Sequence, residues 1–136
     1  MLKKLLNPGQ SSTKVSLGLL ILRAGLGATM LTHGYPKFRN LIAGEFKFGD
    51  PIGLGVELSF TLTVFAEFLC SILLIVGLGS RLATIPLIIT MLVAWLVVHI
   101  NDPFGSQEKA VMYLIAFIAL LLTGPGKYSL DKRLFG

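Results

Sequence analysis

Hydrophobic residues fall into four long runs along this chain, and each run is long enough to form a helix that crosses a bilayer. The stretch from Leu82 to Asn101 contains no Asp, Glu, Lys or Arg. About 20 apolar residues suffice to cross a hydrocarbon core of about 30 Å. We therefore predict an all-α integral membrane four-helix bundle, with helices at about 15–33, 58–78, 82–100 and 107–123.

The connections between these runs differ in length. Residues 77–81 form a tight turn, so the second and third helices should be antiparallel neighbours. Residues 101–105 form a second turn cluster, and 124–126 (Gly-Pro-Gly) end the fourth helix. The segment 35–57 is long for a simple connection and carries several apolar side chains, so we expect it to pack as a lid or re-entrant element.

Composition agrees with the membrane class. Hydrophobic residues make up 54% of the chain, charged residues 14%, and the mean hydropathy is +0.79. A soluble domain usually carries about 25% charged residues. The net charge of +5 does not indicate nucleic-acid binding, because the basic residues cluster at helix ends rather than among aromatic ones. The lipid bilayer is the predicted partner.

The distribution of Lys and Arg predicts the topology. One predicted side holds Lys3, Lys4, Lys14, Arg81, Lys127, Lys132 and Arg133, and the other holds Lys37, Arg39, Lys47 and Lys109. Both termini should therefore be cytoplasmic, as segments 1–14 and 124–136, and the 35–57 loop should face outward. We expect the first helix to be retained rather than cleaved as a signal peptide, because a polar segment precedes it and Arg23 interrupts it.

Arg23 and Glu67 are the charged residues inside the apolar runs of the first two helices. A charged side chain at this depth costs roughly 2.5 kcal/mol or more and should face the protein interior. Counting 1.5 Å per residue from the predicted cytoplasmic ends puts Arg23 about 12 Å and Glu67 about 16 Å into the bilayer. We expect the two to form an ion pair, either as a structural pin between helices or as the floor of a polar site.

The same counting brings a second set of polar side chains to one layer near the outer interface. His33, His99 and Glu108 lie at similar predicted depths, with Trp95 and Tyr113 just below them. Each of these residues also has a non-functional explanation. Trp95 and Tyr113 could be the aromatic residues common at membrane interfaces, and Glu108 could be favoured by the dipole at the start of its helix. The two histidines could contact headgroups or water.

Several ligands would suit such a layer. A quinone head needs hydrogen-bond donors for two carbonyls and a group that exchanges protons, which histidine provides. Two histidines in a four-helix bundle could instead hold a haem, and two histidines with a carboxylate could hold a metal ion. Cys70 is the single cysteine, so the chain cannot form an intramolecular disulfide, and we expect Cys70 to be a packing residue.

Motifs along nearly the whole chain resemble the DoxX family. They are Leu22-Arg23-Ala24-Gly25, His33-Gly34-Tyr35-Pro36-Lys37, Ala66-Glu67-Phe68, the segment 76–83, Glu108-Lys109-Ala110 and the segment 124–131. The resemblance implies a small four-helix protein of the bacterial inner membrane in a redox setting, since the related DoxD protein is a subunit of a thiosulfate:quinone oxidoreductase. By position, it implies that Arg23, His33, Lys37, Glu67, Arg81 and Glu108 belong to the polar pattern of the family.

These observations together predict a multi-pass subunit of a quinone-linked redox system. His33, His99 and Glu108 would bind the head group and handle protons, and Arg23, Lys37, Glu67, Trp95 and Tyr113 would complete the cofactor site. Whether the chain is itself an enzyme stays open. The alternative is a non-catalytic scaffold for a soluble oxidoreductase partner, or a homo-oligomeric carrier of small molecules.

Overall fold

The structure is a computed structural model that describes all residues 1–136. It contains six helices and no strand: α1 (Leu2–Leu6), α2 (Thr13–Ile42), α3 (Val56–Val76), α4 (Ser80–Val98), α5 (Phe104–Thr123) and α6 (Leu130–Phe135). Helices α2 to α5 are the four that are long and apolar enough to cross a membrane. The predicted all-α class and the four membrane-spanning helices are confirmed.

Helix α2 continues to Ile42, well past the predicted end at His33. Pro36 lies inside it, although a proline removes one backbone hydrogen bond and disfavours helical conformation in the residue before it. Contacts with α3 hold these last turns in place: the Phe38 ring stacks on Phe68 with centroids 4.1 Å apart, and Lys37 pairs with Glu67. The loop is therefore shorter than predicted, at residues 43–55.

Consecutive spanning helices are neighbours, so that α2 packs on α3, α3 on α4 and α4 on α5. We call the end with both chain termini and the turn at 77–79 the terminal end. The opposite end, with the loop at 43–55 and the turn at 99–103, is the loop end. The core between the helices contains Cys70, which is 1% exposed, in agreement with its predicted packing role.

Two glycines allow α2 and α3 to approach each other closely. A Cβ atom on Gly27 would lie 2.9 Å from the Ser71 carbonyl oxygen, and one on Gly34 would overlap the carbonyl oxygen of Glu67. The backbones of α2 and α3 are therefore in direct contact at these two positions, as small residues permit between membrane helices. We call this contact, at Gly27 and Gly34, the glycine seam. The contact also sets the register, because Gly34 lies level with Glu67.

Two of the spanning helices contain a π-helical turn. One covers Phe65–Cys70 in α3 and includes Glu67, and the other covers Ala94–Val98 at the end of α4. A π turn inserts one extra residue into the helical repeat, re-aims the side chains around it and is frequent at functional sites.

Candidate functional site

Arg23 is 1% exposed and pairs with backbone carbonyls rather than with Glu67. Its guanidinium donates to the carbonyls of Leu74 at 3.1 Å and of Ile75 in the last turn of α3. It also donates to those of Pro125 at 3.3 Å and of Tyr128. The predicted Arg23–Glu67 ion pair is wrong, and Arg23 instead satisfies the carbonyls that a helix C-terminus leaves without intrahelical partners.

The register of α2 and α3 explains why Arg23 and Glu67 do not pair. Glu67 lies level with Gly34, eleven residues beyond Arg23 on α2, which is roughly 16 Å along the axis. The two side chains would lie at similar depth only if α2 and α3 ended at the same level. In the structure the first turns of α2 extend past the end of α3 and are covered by residues 124–131, where Lys127 N–H donates to the Ser16 hydroxyl.

Arg81 and Asp131 complete the network at the terminal end. Arg81 donates to the carbonyls of Leu121 at 3.1 Å and Thr123 at 3.2 Å, which end α5, and to that of Asn7 at 2.5 Å. Asp131 accepts hydrogen bonds from the amides of Gly79 and Ser80 at 2.6 and 2.9 Å, where α4 begins. Arg81 and Asp131 therefore satisfy backbone groups at helix ends.

The partner of Glu67 is Lys37, whose Nζ lies 2.5 Å from Oε2. The Glu67 side chain is 7% exposed and that of Lys37 is 31% exposed, so the pair is largely removed from the surface. Both residues were predicted as cofactor-binding residues, but their pairing was not predicted. The extension of α2 through Pro36 is what places Lys37 opposite the π turn of α3.

Lys37 and Glu67 line a cavity with a volume of about 460 Å³. Its walls come from α3 and α4, and ten of its eighteen lining residues are hydrophobic. Both π turns border it, through Phe65, Ala66 and Glu67 on α3 and Ala94 and Val98 on α4. The cavity is therefore an apolar chamber with polar groups at a few points, as is usual for small-molecule sites.

The loop at 43–55 forms the roof of this cavity through Phe48, Pro51, Ile52 and Leu54. The Phe48 ring packs on Phe60 of α3, with centroids 5.3 Å apart. The expectation that this segment packs as a lid agrees with its position over the cavity.

Asp50 anchors the roof to the start of α3. Its carboxylate accepts hydrogen bonds from the amides of Leu54 and Gly55 at 2.9 and 3.0 Å and from the Ser59 hydroxyl at 2.9 Å. The hydrogen bond from Ser59, followed by those from the loop amides, lowers the pKa of Asp50 below its usual value. Asp50 was not singled out from the sequence, although an Asp directly before Pro51 is a turn signal.

A second polar pair lies at the loop end of the cavity. His99 lines the cavity, and its Nδ1 lies 2.6 Å from Oδ2 of Asp102, which was not predicted as a site residue. Trp95 turns away from the cavity and donates its Nε1–H to Gln107 Oε1 at 2.9 Å, while Gln107 donates to the Asp102 carbonyl at 2.8 Å. The π turn thus separates Trp95 from His99, which an ordinary α-helix would keep on one face.

Three more of the predicted site residues do not line the cavity: His33, Tyr113 and Glu108. The His33 and Tyr113 rings meet edge to face with centroids 6.4 Å apart. Glu108 and Tyr113 line a shallow groove between α2 and α5, which shares no residue with the cavity. His33, His99 and Glu108 therefore do not form the single site predicted for them, because His99 faces a different helix pair from the other two. No three His, Cys, Asp or Glu side chains cluster as metal ligands.

The cavity also reaches the outer surface of the bundle. Leu62 and Phe65 on α3 and Ile89 on α4 line it, yet they remain 48%, 44% and 55% exposed. These exposed apolar side chains face the region that lipid occupies around a membrane helix. Exposed apolar side chains therefore border the cavity on the outer surface of α3 and α4.

Comparisons with known proteins agree with this architecture. The DoxX family profile matches residues 18–100. A Bacillus subtilis protein named "Putative oxidoreductase CatD" is 29% identical over 120 residues, which cover 88% of each chain. An uncharacterized membrane protein of Mycobacterium tuberculosis is 29% identical over 134 residues, covering 85% of this chain and 80% of that protein.

A Haemophilus influenzae protein without an assigned function is 28% identical over 128 residues, covering 86% of this chain and 90% of its own. No solved structure matches the chain. The fold and the four spanning helices define a small helical membrane protein. The chain belongs to the DoxX family, as its motifs indicated.

Proposed function

We propose that the protein is a quinone-binding subunit of a redox system in the bacterial inner membrane, and that the cavity between α3 and α4 is the quinone site. One observation carries the proposal: an apolar cavity of about 460 Å³, bordered by exposed apolar side chains of α3 and α4, has the Lys37–Glu67 pair and the His99–Asp102 pair on its lining or directly beside it. The proposal moves the site away from His33 and Glu108.

The residues present suit the head group of a quinone. A quinone head is a flat ring with two carbonyl acceptors, and it needs mainly apolar walls with hydrogen-bond donors at separated points. Lys37 offers an ammonium donor, and His99 offers an imidazole nitrogen, because only its Nδ1 is engaged by Asp102. Thr63 and Thr90 also line the cavity, although their hydroxyls already donate to backbone carbonyls.

A bound quinone supplies the redox chemistry, since its reduction takes up two electrons and two protons. His99 is suited to proton transfer, because an imidazole ring can accept a proton at one nitrogen and donate one from the other, and Asp102 orients the ring. Lys37 would hold and polarise a carbonyl oxygen, and Glu67 would keep the ammonium in place. The electrons would come from a partner oxidoreductase that carries its own redox cofactor.

The proposed ligand would enter the cavity from the bilayer, as suits a lipid-soluble molecule. An isoprenoid tail could remain in the hydrocarbon between α3 and α4, against Leu62, Phe65 and Ile89, while the head group occupies the cavity. The name of the Bacillus subtilis relative, an oxidoreductase, points to the same kind of chemistry.

His99 lines the cavity and His33 does not, so His99→Ala is the test variant and His33→Ala is its control. The protein is purified in mild detergent, and co-purified menaquinone or ubiquinone is quantified by mass spectrometry for the wild type, His99→Ala and His33→Ala. We expect quinone in the wild type, at least about a fivefold loss in His99→Ala, and little change in His33→Ala, because truncating a ligand-contacting donor costs about 1 kcal/mol or more.

Blocking the cavity from its membrane side gives an independent test. Leu62→Trp adds bulk beside the cavity, whereas Leu122→Trp adds the same bulk at an exposed position on α5 outside the cavity lining. Quinone should be lost only in Leu62→Trp. A wild type that carries no quinone after reconstitution with it, or equal losses in both histidine variants, would refute this assignment of the site.

A further inference from the structure

The terminal end of the molecule presents a surface that is both basic and apolar. It is formed by the short helices α1 and α6, which contact each other. Their exposed cations are Lys3, Lys4, Lys132 and Arg133, and their most exposed apolar side chains are Leu2, Leu134 and Phe135. We call these seven residues the terminal platform.

The cations of the terminal platform differ from the two arginines near them, Arg23 and Arg81. Arg23 and Arg81 are fully engaged by carbonyls at helix ends, as described above. None of the four platform cations takes part in a salt bridge; the salt bridges of the protein involve Lys37, Lys47 and His99. Their charge is therefore available to an external anion.

No acidic side chain at this end competes for these cations. Asp131 is the one acidic residue in the terminal segments, and it is 1% exposed. Its two oxygens accept hydrogen bonds from the amides of Gly79 and Ser80. The terminal platform therefore carries positive charge with no exposed acidic side chain in α1 or α6 to neutralise it.

Both helices are fastened to the bundle at the level where the spanning helices end. Arg81 donates to the carbonyl of Asn7, directly after α1. The Asp131 amide donates to the Gly77 carbonyl at 2.8 Å, and the Ser129 hydroxyl caps α6. The platform cations thus lie beside the ends of α2 to α5, which is the level of lipid headgroups around a membrane-spanning bundle.

We propose that the terminal platform binds anionic phospholipid headgroups of the surrounding bilayer. Phosphates would be held by the four cations, and Leu2, Leu134 and Phe135 would enter the boundary between headgroups and acyl chains. The combination of Lys and Arg with exposed Leu and Phe on short helices at a membrane surface is the pattern that such lipids recognise. This binding site is separate from the cavity.

The test compares two lipids that differ only in headgroup charge. The purified protein in neutral detergent is titrated with dioleoyl-phosphatidylglycerol or dioleoyl-phosphatidylcholine, and bound lipid is counted by native mass spectrometry. We expect retention of phosphatidylglycerol in clear excess, and a reduced excess in high salt, because salt screens exposed charges. Equal retention of the two lipids would overturn the proposal.

The variants locate the site. Lys3→Gln/Lys4→Gln/Lys132→Gln/Arg133→Gln should weaken phosphatidylglycerol binding by at least about tenfold, given that a surface cation contributes about 1 kcal/mol to anionic-lipid binding. The control Arg39→Gln/Lys47→Gln/Lys109→Gln removes exposed cations elsewhere and should leave binding unchanged. The two platform pairs, Lys3/Lys4 and Lys132/Arg133, are also replaced separately, so that a poorly folded quadruple variant does not decide the outcome.

Two results would overturn the assignment. Unchanged phosphatidylglycerol binding in both platform pairs would remove the platform as its site. Loss of a co-purifying acidic protein from the platform variants, with lipid binding intact, would assign the surface to a protein partner instead. Quinone content is measured on the same samples and should not change, so that failure of this proposal and failure of the cavity assignment are distinguished.

Discussion

Lys37 and Glu67 form an ion pair between the last turns of α2 and the π turn of α3, with Nζ 2.5 Å from Oε2. This ion pair lines one side of the cavity and also joins two helices, so it could contribute both to stability and to ligand binding. Mutation can separate these two roles. Removing one partner leaves an unpaired charge in a largely buried position and lowers stability, whereas replacing both partners with apolar residues often does not.

Lys37→Met alone should destabilise the protein by about 3 kcal/mol or more, because it leaves the Glu67 carboxylate without its partner. Lys37→Met/Glu67→Met should recover most of that stability, yet it should still lose bound quinone, since no ammonium donor remains in the cavity. Thermal unfolding in detergent and quinone content by mass spectrometry are measured together. If the double variant retains quinone at the wild-type level, the pair is a structural element only.

The seam between α2 and α3 predicts opposite outcomes for two glycines on the same helix. Gly34→Ala should lower the melting temperature strongly, because its Cβ would overlap the Glu67 carbonyl and push the helices apart. Gly25→Ala should be neutral or stabilising, since a Cβ there meets nothing within 4 Å and alanine favours a helix by about 1 kcal/mol. Equal melting temperatures for the two variants would contradict the close approach at Gly34.

Arg23 should be required for folding rather than for ligand binding. Arg23→Gln leaves several buried carbonyls without donors and should cost several kcal/mol, since each unsatisfied group costs about 1–3 kcal/mol. Arg23→Lys should recover only part of this, because one ammonium cannot reach carbonyls of both α3 and the 124–131 segment. Arg39→Gln, at an exposed position, is the control. Monodisperse yield by size-exclusion chromatography is the readout, and normal yield for Arg23→Gln would disprove the capping role.

The roof of the cavity should depend on ionised Asp50. Its pKa is depressed in the folded protein, so its contribution is complete above the unfolded value of about 3.9 and is lost as the pH falls through the folded pKa. The roof should therefore stay anchored from neutral pH to about pH 5.

Asp50→Asn should loosen the roof at every pH, because an amide offers one acceptor oxygen where the carboxylate uses two. Hydrogen exchange of the amides of residues 53–55 measures the effect, and Glu57→Gln, which removes a nearby exposed carboxylate, is the control. Exchange that is unchanged in Asp50→Asn would show that the phenylalanine contacts alone hold the roof.

The topology predicted from the basic residues can be tested by cysteine labelling in a Cys70→Ala background. Glu45→Cys at the loop end should react with a membrane-impermeant maleimide in intact spheroplasts, whereas Gln10→Cys at the terminal end should react only after lysis. This follows because basic residues are concentrated at the terminal end, and such segments stay in the cytoplasm. The reverse labelling pattern would place both termini outside.

The candidate site shows where sequence reasoning reached its limit. Lys37, Glu67 and His99 could each be selected from the sequence as polar groups within or near apolar runs, and all three line the cavity. Their grouping could not be predicted, because α2 continues through Pro36 and π turns re-aim the neighbours of Glu67 and His99. His33 and Glu108 lie on the other side of the bundle, because equal depth in a membrane does not specify which helix pair a side chain faces.

By itself, the sequence determined the class of this protein: four apolar runs of spanning length leave no other arrangement for the backbone than transmembrane helices, since hydrocarbon offers no hydrogen bonds. The tertiary structure alone decided the partners of the buried charges. Arg23 binds helix-end carbonyls and Glu67 binds Lys37, because the glycine seam sets how far α2 slides along α3. That offset results from packing between helices distant in sequence, which hydrophobic periodicity does not encode.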